Sequence, residues 1–284
     1  MGWLLAGGTA SADVVNVGTN VYSTLYSGPD ANNTNGGGPV FFCGSGPTAS
    51  GPSGWHDRAL LYFDVADNLP LGATVTSAQL TLSMSFAAGS SGSGTATGTD
   101  MSYHVMSLYQ VTSPWGQDTV SESSHVVSGS NGTGGGTGGG ATPTPGLTGA
   151  TWNQSFYGQT NWNTAGGGGD YNPLPSASQS VGYIGAGTQY TWGSAQLAAD
   201  VQGWANGTTP NDGWILISND ETMNVSFRNF FSQAGAIAQG QPTWAPDLQI
   251  TYTVPEPASM ALFAVFVPLL LCRRKRKPLN DCIG

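Results

Sequence analysis

Alternation with period two, repeated through several short segments, is the feature that most constrains this chain. In residues 78–86 (AQLTLSMSF), Leu80, Leu82, Met84 and Phe86 fall on one side and Gln79, Thr81, Ser83 and Ser85 on the other. In 248–254 (LQITYTV), Leu248, Ile250, Tyr252 and Val254 alternate with Gln249, Thr251 and Thr253. That pattern marks strands with one face covered and one face open. Segments 58–65, 101–111, 214–218 and 224–230 are also strand-like. Helical spacing occurs once, at 195–204, where Leu197, Val201 and Trp204 recur and Asn206-Gly207 supplies a stop. Many short strands with polar turns predict an all-β fold, a jelly-roll-like β-sandwich with one short helix.

Glycine tracts interrupt this pattern at 89–99 and above all at 128–149 (GSNGTGGGTGGGATPTPG within it). Such stretches have no apolar area to bury and read as loops or flexible insertions. Residues 13–253 are expected to form one domain with 128–149 as its insertion. The strands on either side of the insertion are too few for two closed sandwiches.

Only 8% of the 284 residues are charged. Between residues 13 and 254 two basic residues, Arg58 and Arg228, stand against fourteen acidic ones, a net charge of −12. That surface repels phosphate backbones and argues against nucleic acid as a partner. It suits a neutral, hydroxyl-rich partner. Each arginine is expected to satisfy a buried carboxylate or carbonyl groups, with ligand contact as the alternative. Cys43 is the one cysteine outside the tail, so the body has no internal disulfide. A packed or loop thiol is the expectation there, and 240 residues bury an adequate core without a crosslink.

The two ends read as addresses. Ala10-Ser11-Ala12 is a small-x-small cleavage site, so residues 1–12 are expected to be the remnant of a signal peptide, with a loose N-terminal arm as the alternative. Near the other end, residues 258–272 carry no charge and are followed at once by Arg273, Arg274, Lys275, Arg276 and Lys277. Fifteen residues rise about 22 Å as a helix, short of a hydrocarbon core of about 30 Å, and Pro268 removes one hydrogen bond. The basic block fits a cytoplasmic stop. A transmembrane anchor is therefore expected, with the body outside the cytoplasm.

Pro255-Glu256-Pro257, the apolar run and the basic cluster, in that order, resemble the PEP-CTERM sorting signal of Gram-negative bacteria, here residues 254–284. The resemblance implies recognition by an exosortase-type processing enzyme, a transient anchor in the inner membrane through 258–272, and delivery to the cell envelope or an exopolysaccharide matrix. A second resemblance covers most of 13–253. Residues 58–64 (RALLYFD) and 71–80 (LGATVTSAQL) are similar to the opening of DNRLRE-type domains, which are disaggregatase-related jelly rolls partly grouped as carbohydrate-binding modules. Residues 150–153 (ATWN), 168–171 (GGDY), 200–204 (DVQGW) and 213–217 (GWILI) continue the match. Members often carry an Arg–Glu pair before the last strand, whereas Gln233-Ala234 stands there in this chain, so no role of that pair carries over.

The residues themselves suggest binding rather than catalysis. His56, His104 and His125 have no neighbours at metal-ligand spacing, and neither a nucleophile elbow nor a phosphate loop occurs. The carboxylate pairs Asp57/Asp64 and Asp220/Glu221 are expected in solvated or turn positions, leaving a polysaccharide lyase or glycosidase as the least favoured reading. Structural calcium is considered at Asp30, Asn32 and Asn33, where an ordinary turn is the stronger expectation. Trp152, Trp204 and Trp214 are expected in the core and Trp115 packed. Trp55, Tyr157, Trp162, Tyr171 and Trp192 lie in Gly/Asn-rich connections and are the candidate carbohydrate-binding residues. On that reading Trp162→Ala weakens glycan retention and leaves the fold intact. The function expected is a non-catalytic module for extracellular polysaccharide, with a structural matrix or envelope protein as the alternative.

Overall fold

The computed structural model describes residues 11–19, 21–36, 38–46, 55–87, 102–116, 149–182, 185–222 and 226–255. The strands are β1 (Ala12–Gly18), β2 (Val21–Tyr26), β3 (Val40–Ser45), β4 (His56–Tyr62), β5 (Thr74–Ala87), β6 (His104–Gln110), β7 (Gln154–Phe156), β8 (Thr160–Asn161), β9 (Ala177–Val181), β10 (Gln189–Gly193), β11 (Trp214–Ser218), β12 (Arg228–Phe231) and β13 (Asp247–Thr253). Two helices accompany them, α1 (Ala195–Ala205) and α2 (Gln233–Ala238).

All pairings are antiparallel. One curled sheet runs β1-β13-β5-β12-β3-β4-β11-β6-β9, with β10 also on β5 and β2 also on β4, while β7 and β8 form a separate ribbon. The curl brings the two halves of the sheet onto one core. Leu80, Leu82, Trp192, Leu248 and Ile250 from one half share a buried cluster with Ala59, Leu61, Met106, Leu108, Trp214 and Leu216 from the other. The alternation at 78–84 and 248–252 is the imprint of that core; Phe86, expected on the same face, instead packs against Phe227 beyond a register shift between β12 and β5.

The expected helix forms as α1. The Ser194 side chain caps it by accepting from the Leu197 N–H at 2.9 Å, and Gly207 at φ 64° follows its end. Leu197, Val201 and Trp204 turn inward, and the Trp204 and Trp214 rings lie 4.4 Å apart. Trp115 is buried as expected.

A smaller second core covers the outer face of β2, β4 and β11. Leu25, Leu60, Ile215 and Ile217 are roofed there by Val111, Trp115, Ala150 and Trp162. Residues 149–171 thus form an outer layer over the sheet, and this layer positions the site described below. Strands β2 and β11 are consequently covered on both sides and lack alternation, and so does β3, whose Val40 and Phe42 lie in a third cluster with Tyr26, Phe227, Phe231 and Ala236.

Apart from Ser11 and Ala12, the signal remnant lies outside the described residues, as does the 128–149 insertion apart from Gly149. The same holds for the sorting segment beyond Pro255, including Glu256, Pro257, the 258–272 span and the basic tail 273–277. Among the described residues no helix is long and apolar enough to cross a membrane.

Candidate functional site

Side chains alternate along β4, so His56 and Arg58 share the outer face with Leu60. The Arg58 guanidinium forks onto one carboxylate: Nε donates to Glu221 Oε1 at 2.7 Å and Nη2 to Glu221 Oε2 at 2.8 Å. Its remaining arm, Nη1, donates to the Gly168 carbonyl at 2.8 Å. Burial opposes the charge on Arg58, but the hydrogen bonds and charge of Glu221 outweigh it and push the guanidinium pKa up. This is a bidentate, largely buried ion pair of the strong kind.

Two rings enclose that pair. Arg58 Cζ lies 4.8 Å from the centroid of the Trp152 ring and 5.8 Å from that of Tyr171, within cation–π range. Tyr109 meets Tyr171 at 5.3 Å, and His56 meets Trp152 edge-on at 6.0 Å with its Nδ1 3.6 Å from Glu221 Oε2. Trp152, Tyr171, Tyr109 and His56 are each partly exposed. They form an aromatic patch whose charge is neutralised from within.

The 163–170 loop holds the patch in place. Gly166, Gly167, Gly168 and Gly169 all have positive φ, from 75° to 93°. The Gly168 N–H donates to the Trp152 carbonyl at 2.7 Å, and Trp152 Nε1 donates to the Gly166 carbonyl at 2.8 Å. A Cβ on Gly168 would lie 2.8 Å from Arg58 Nη1 and 2.9 Å from the Trp152 ring. Only glycine allows both that backbone conformation and that approach. Asp170 then ties the loop shut. Its carboxylate accepts from the Asn163 N–H (2.9 Å), Asn163 Nδ2 (2.8 Å), the Thr164 N–H (2.7 Å) and Thr164 Oγ1 (2.7 Å). Beside it an open hollow of 360 Å³ is lined by Thr112, Ser113, Asn163, Thr164, Asp170 and Tyr171.

The five aromatic candidates fare differently. Tyr171 lies in the patch. Trp55 is partly exposed and packs at the 28–30 turn, where a Cβ on Gly28 would meet its Cδ1 at 2.6 Å. Tyr157 is partly exposed, with its N–H on the Gly149 carbonyl at 3.2 Å. Trp162 and Trp192 require correction, because both are buried and offer no ring face to a ligand. Trp162 roofs the outer core and donates to the Thr151 carbonyl at 2.8 Å; Trp192 belongs to the main core, donates to the Met106 carbonyl at 2.8 Å and packs edge-on against Phe230. Trp152, expected in the core, packs against the outer core but stays partly exposed, with the Arg58 guanidinium over its ring. The signal for it was the need of a nearly cation-free chain to place Arg58.

The carboxylates also separate. Asp64 is exposed, Glu221 is held by Arg58, and Asp220 meets His104 Nδ1 at 2.5 Å. Asp57 is not solvated: it turns to the opposite face from Arg58 and is buried. Burial first, then Glu221 and Asp30, push its carboxyl well above the ordinary value. At the calcium candidate, Asp30 Oδ1 accepts from Asn33 and Asn32 Oδ1 from Asn153, each at 3.0 Å, as in an ordinary turn. Among the described residues no three His, Cys, Asp or Glu side chains gather as a metal-binding group.

Asp57 yields a pH prediction. The folded chain keeps its proton to higher pH than the unfolded chain. Its contribution to stability is therefore fully present below about pH 3.9 and is lost as pH rises through the folded value. Asp57→Asn is expected to raise the melting temperature at pH 7–8, with the gain shrinking toward pH 3.5. A variant less stable than wild type at pH 8 would contradict the buried-carboxylate account.

No family model matches the chain, and no curated protein compared with it does either.

Proposed function

We propose that this chain is an exported, non-catalytic module that binds extracellular polysaccharide, built as a jelly-roll-like β-sandwich and delivered to the envelope or matrix of a Gram-negative bacterium. The observation that carries the reading is the partly exposed Trp152–Tyr171–Tyr109 patch, packed on the outer core and braced by the Arg58–Glu221 pair. Sugars have apolar faces that stack on such rings and hydroxyls that match the amides and hydroxyls beside them. A body of net charge −12 suits an uncharged polymer far better than nucleic acid.

Affinity electrophoresis of the full chain through polysaccharide gels tests it. Trp152→Ala is expected to weaken retention by roughly 5- to 150-fold, corresponding to about 1–3 kcal/mol by analogy with base–aromatic stacking. If no glycan retains the wild type, the host's own exopolysaccharide with calcium included, binding is abandoned for a structural matrix or envelope role. Release of reducing sugar would instead move the chain to the polysaccharide-degrading class.

Delivery is proposed to follow the sorting signal, with an exosortase-type enzyme acting near Pro255-Glu256-Pro257. Replacing these three residues by alanine is expected to hold the chain uncleaved in the membrane. Retention of the basic tail 273–277 by the unmodified chain, in a host with the cognate enzyme, would leave only a plain anchor.

A further inference from the structure

The hollow beside Tyr171 points to a specific ligand chemistry. We infer that it is a subsite for one uncharged sugar ring and that it rejects sugars carrying a carboxylate or sulfate. This rests on the polysaccharide-binding reading and narrows it.

The hollow's 360 Å³ lies at the lower end of small-ligand sites, about 300–1,000 Å³, which suits a single pyranose. Its lining is one aromatic wall, Tyr171, facing hydroxyls and an amide from Thr112, Ser113, Asn163 and Thr164. Asn163 Nδ2 donates to Asp170 (2.8 Å) and Ser113 Oγ (3.1 Å) and Thr164 Oγ1 donates to Asp170 (2.7 Å), so a ring stacked on Tyr171 would meet the Thr112 hydroxyl and the acceptor oxygens of Asn163 and Thr164.

Charge selection comes from Asp170. Burial raises its carboxyl, but the donors from Asn163, Thr164 and Ser113 outweigh that and hold it below the ordinary carboxylate value, so it is ionised at neutral pH. Four accepted hydrogen bonds use the acceptor capacity of a carboxylate. Asp170 therefore sets the positions of Asn163 and Thr164 and leaves a fixed negative charge at the wall.

Among the described residues no Lys, Arg or His lines the hollow. Arg58, a cation near the hollow, lies over the ring of Tyr171 with its donors committed to Glu221 and Gly168. An anionic sugar would thus meet a fixed anion with no counter-charge, whereas a neutral one meets only dipoles.

The test compares a neutral glucan with the same glucan oxidised to the carboxylate at C6, as gel matrices for the full chain at low ionic strength. The neutral polymer is expected to retain the protein at least tenfold more strongly. Tyr171→Ala is expected to remove most of that retention. Thr112→Lys, at an exposed rim position, is expected to narrow the difference by supplying the missing cation.

Equal or stronger retention by the carboxylated polymer overturns charge selection while leaving polysaccharide binding in place. Neutral retention indifferent to Tyr171→Ala, or a ratio unchanged in Thr112→Lys, moves the site away from this hollow and overturns the assignment. Retention by neither of these polymers overturns the assignment too, and failure with every other glycan removes the binding reading as well.

Discussion

Trp162→Ala is expected to lower the unfolding free energy by about 3–5 kcal/mol, the range for emptying a buried aromatic site. For a domain of this size that is a fall in melting temperature of roughly 6–20 °C. The indole is 5% exposed and roofs the outer core with Leu25, Leu60, Ile215 and Ile217. Its Nε1 also donates to the Thr151 carbonyl, next in the chain to Trp152. Truncation should therefore loosen the outer layer before the main core. Glycan retention should fall as well, but through loss of the patch's support rather than loss of a contact. Calorimetry separates the two effects: an unchanged melting temperature with lost retention would restore Trp162 as a surface platform.

Arg228→Ala is expected to cost about 2–4 kcal/mol. This side chain is fully buried on β12, between β3 and β5. Nη1 donates to the carbonyls of Ser226 (3.1 Å) and Phe227 (3.3 Å), and Nη2 to that of Ser102 (2.8 Å). Alanine leaves these acceptors without those donors and opens a cavity the size of a guanidinium. Lysine should rescue only in part, since an ammonium on a flexible stem does not reproduce the planar fork. The contact to Ser102 ties the approach to β6 onto β12, so hydrogen exchange near residues 102–104 should quicken in the alanine variant. A melting temperature within experimental error of wild type would remove Arg228 as a structural tie.

The segments read by their period share one property, a single covered face, whereas β11 and β12, buried throughout, were legible only from their apolar and aromatic composition. In β5, β13 and α1 the inward residues recur at the period of the element, and Ser194, Asn206 and Gly207 mark the ends of α1. β2 and β3 escaped notice because the main sheet covers one side and other chain segments the other. Their sequences, VYSTLY and VFFCGS, are buried almost throughout and show no period.

The aromatic assignments failed for a related reason. Trp162 stands among Asn, Gln and Thr, a setting that resembles an exposed loop, yet it is covered by side chains from β2, β4 and β11 that lie far along the chain. Trp152, ten residues earlier in similar company, packs on the same outer core but has Arg58 over its ring and stays partly exposed. Local composition reports what a segment tolerates and does not report what lands on it.

The sequence by itself determined the β class, the position and C-terminal stop of the main helix, the core faces of β5 and β13, and the need of its two scarce arginines for partners. Those follow from short-range periodicity, cap chemistry and charge scarcity, which act within a few residues. The tertiary structure alone decided that Arg58 would find Glu221, 163 residues away, that Gly166–Gly169 would fold beneath Trp152, and that Asp170 would wall a polar hollow. Each of these depends on the curl of the sheet and the layer laid over it. Burial and contact are set by segments distant in the chain, and no local pattern encodes their arrival.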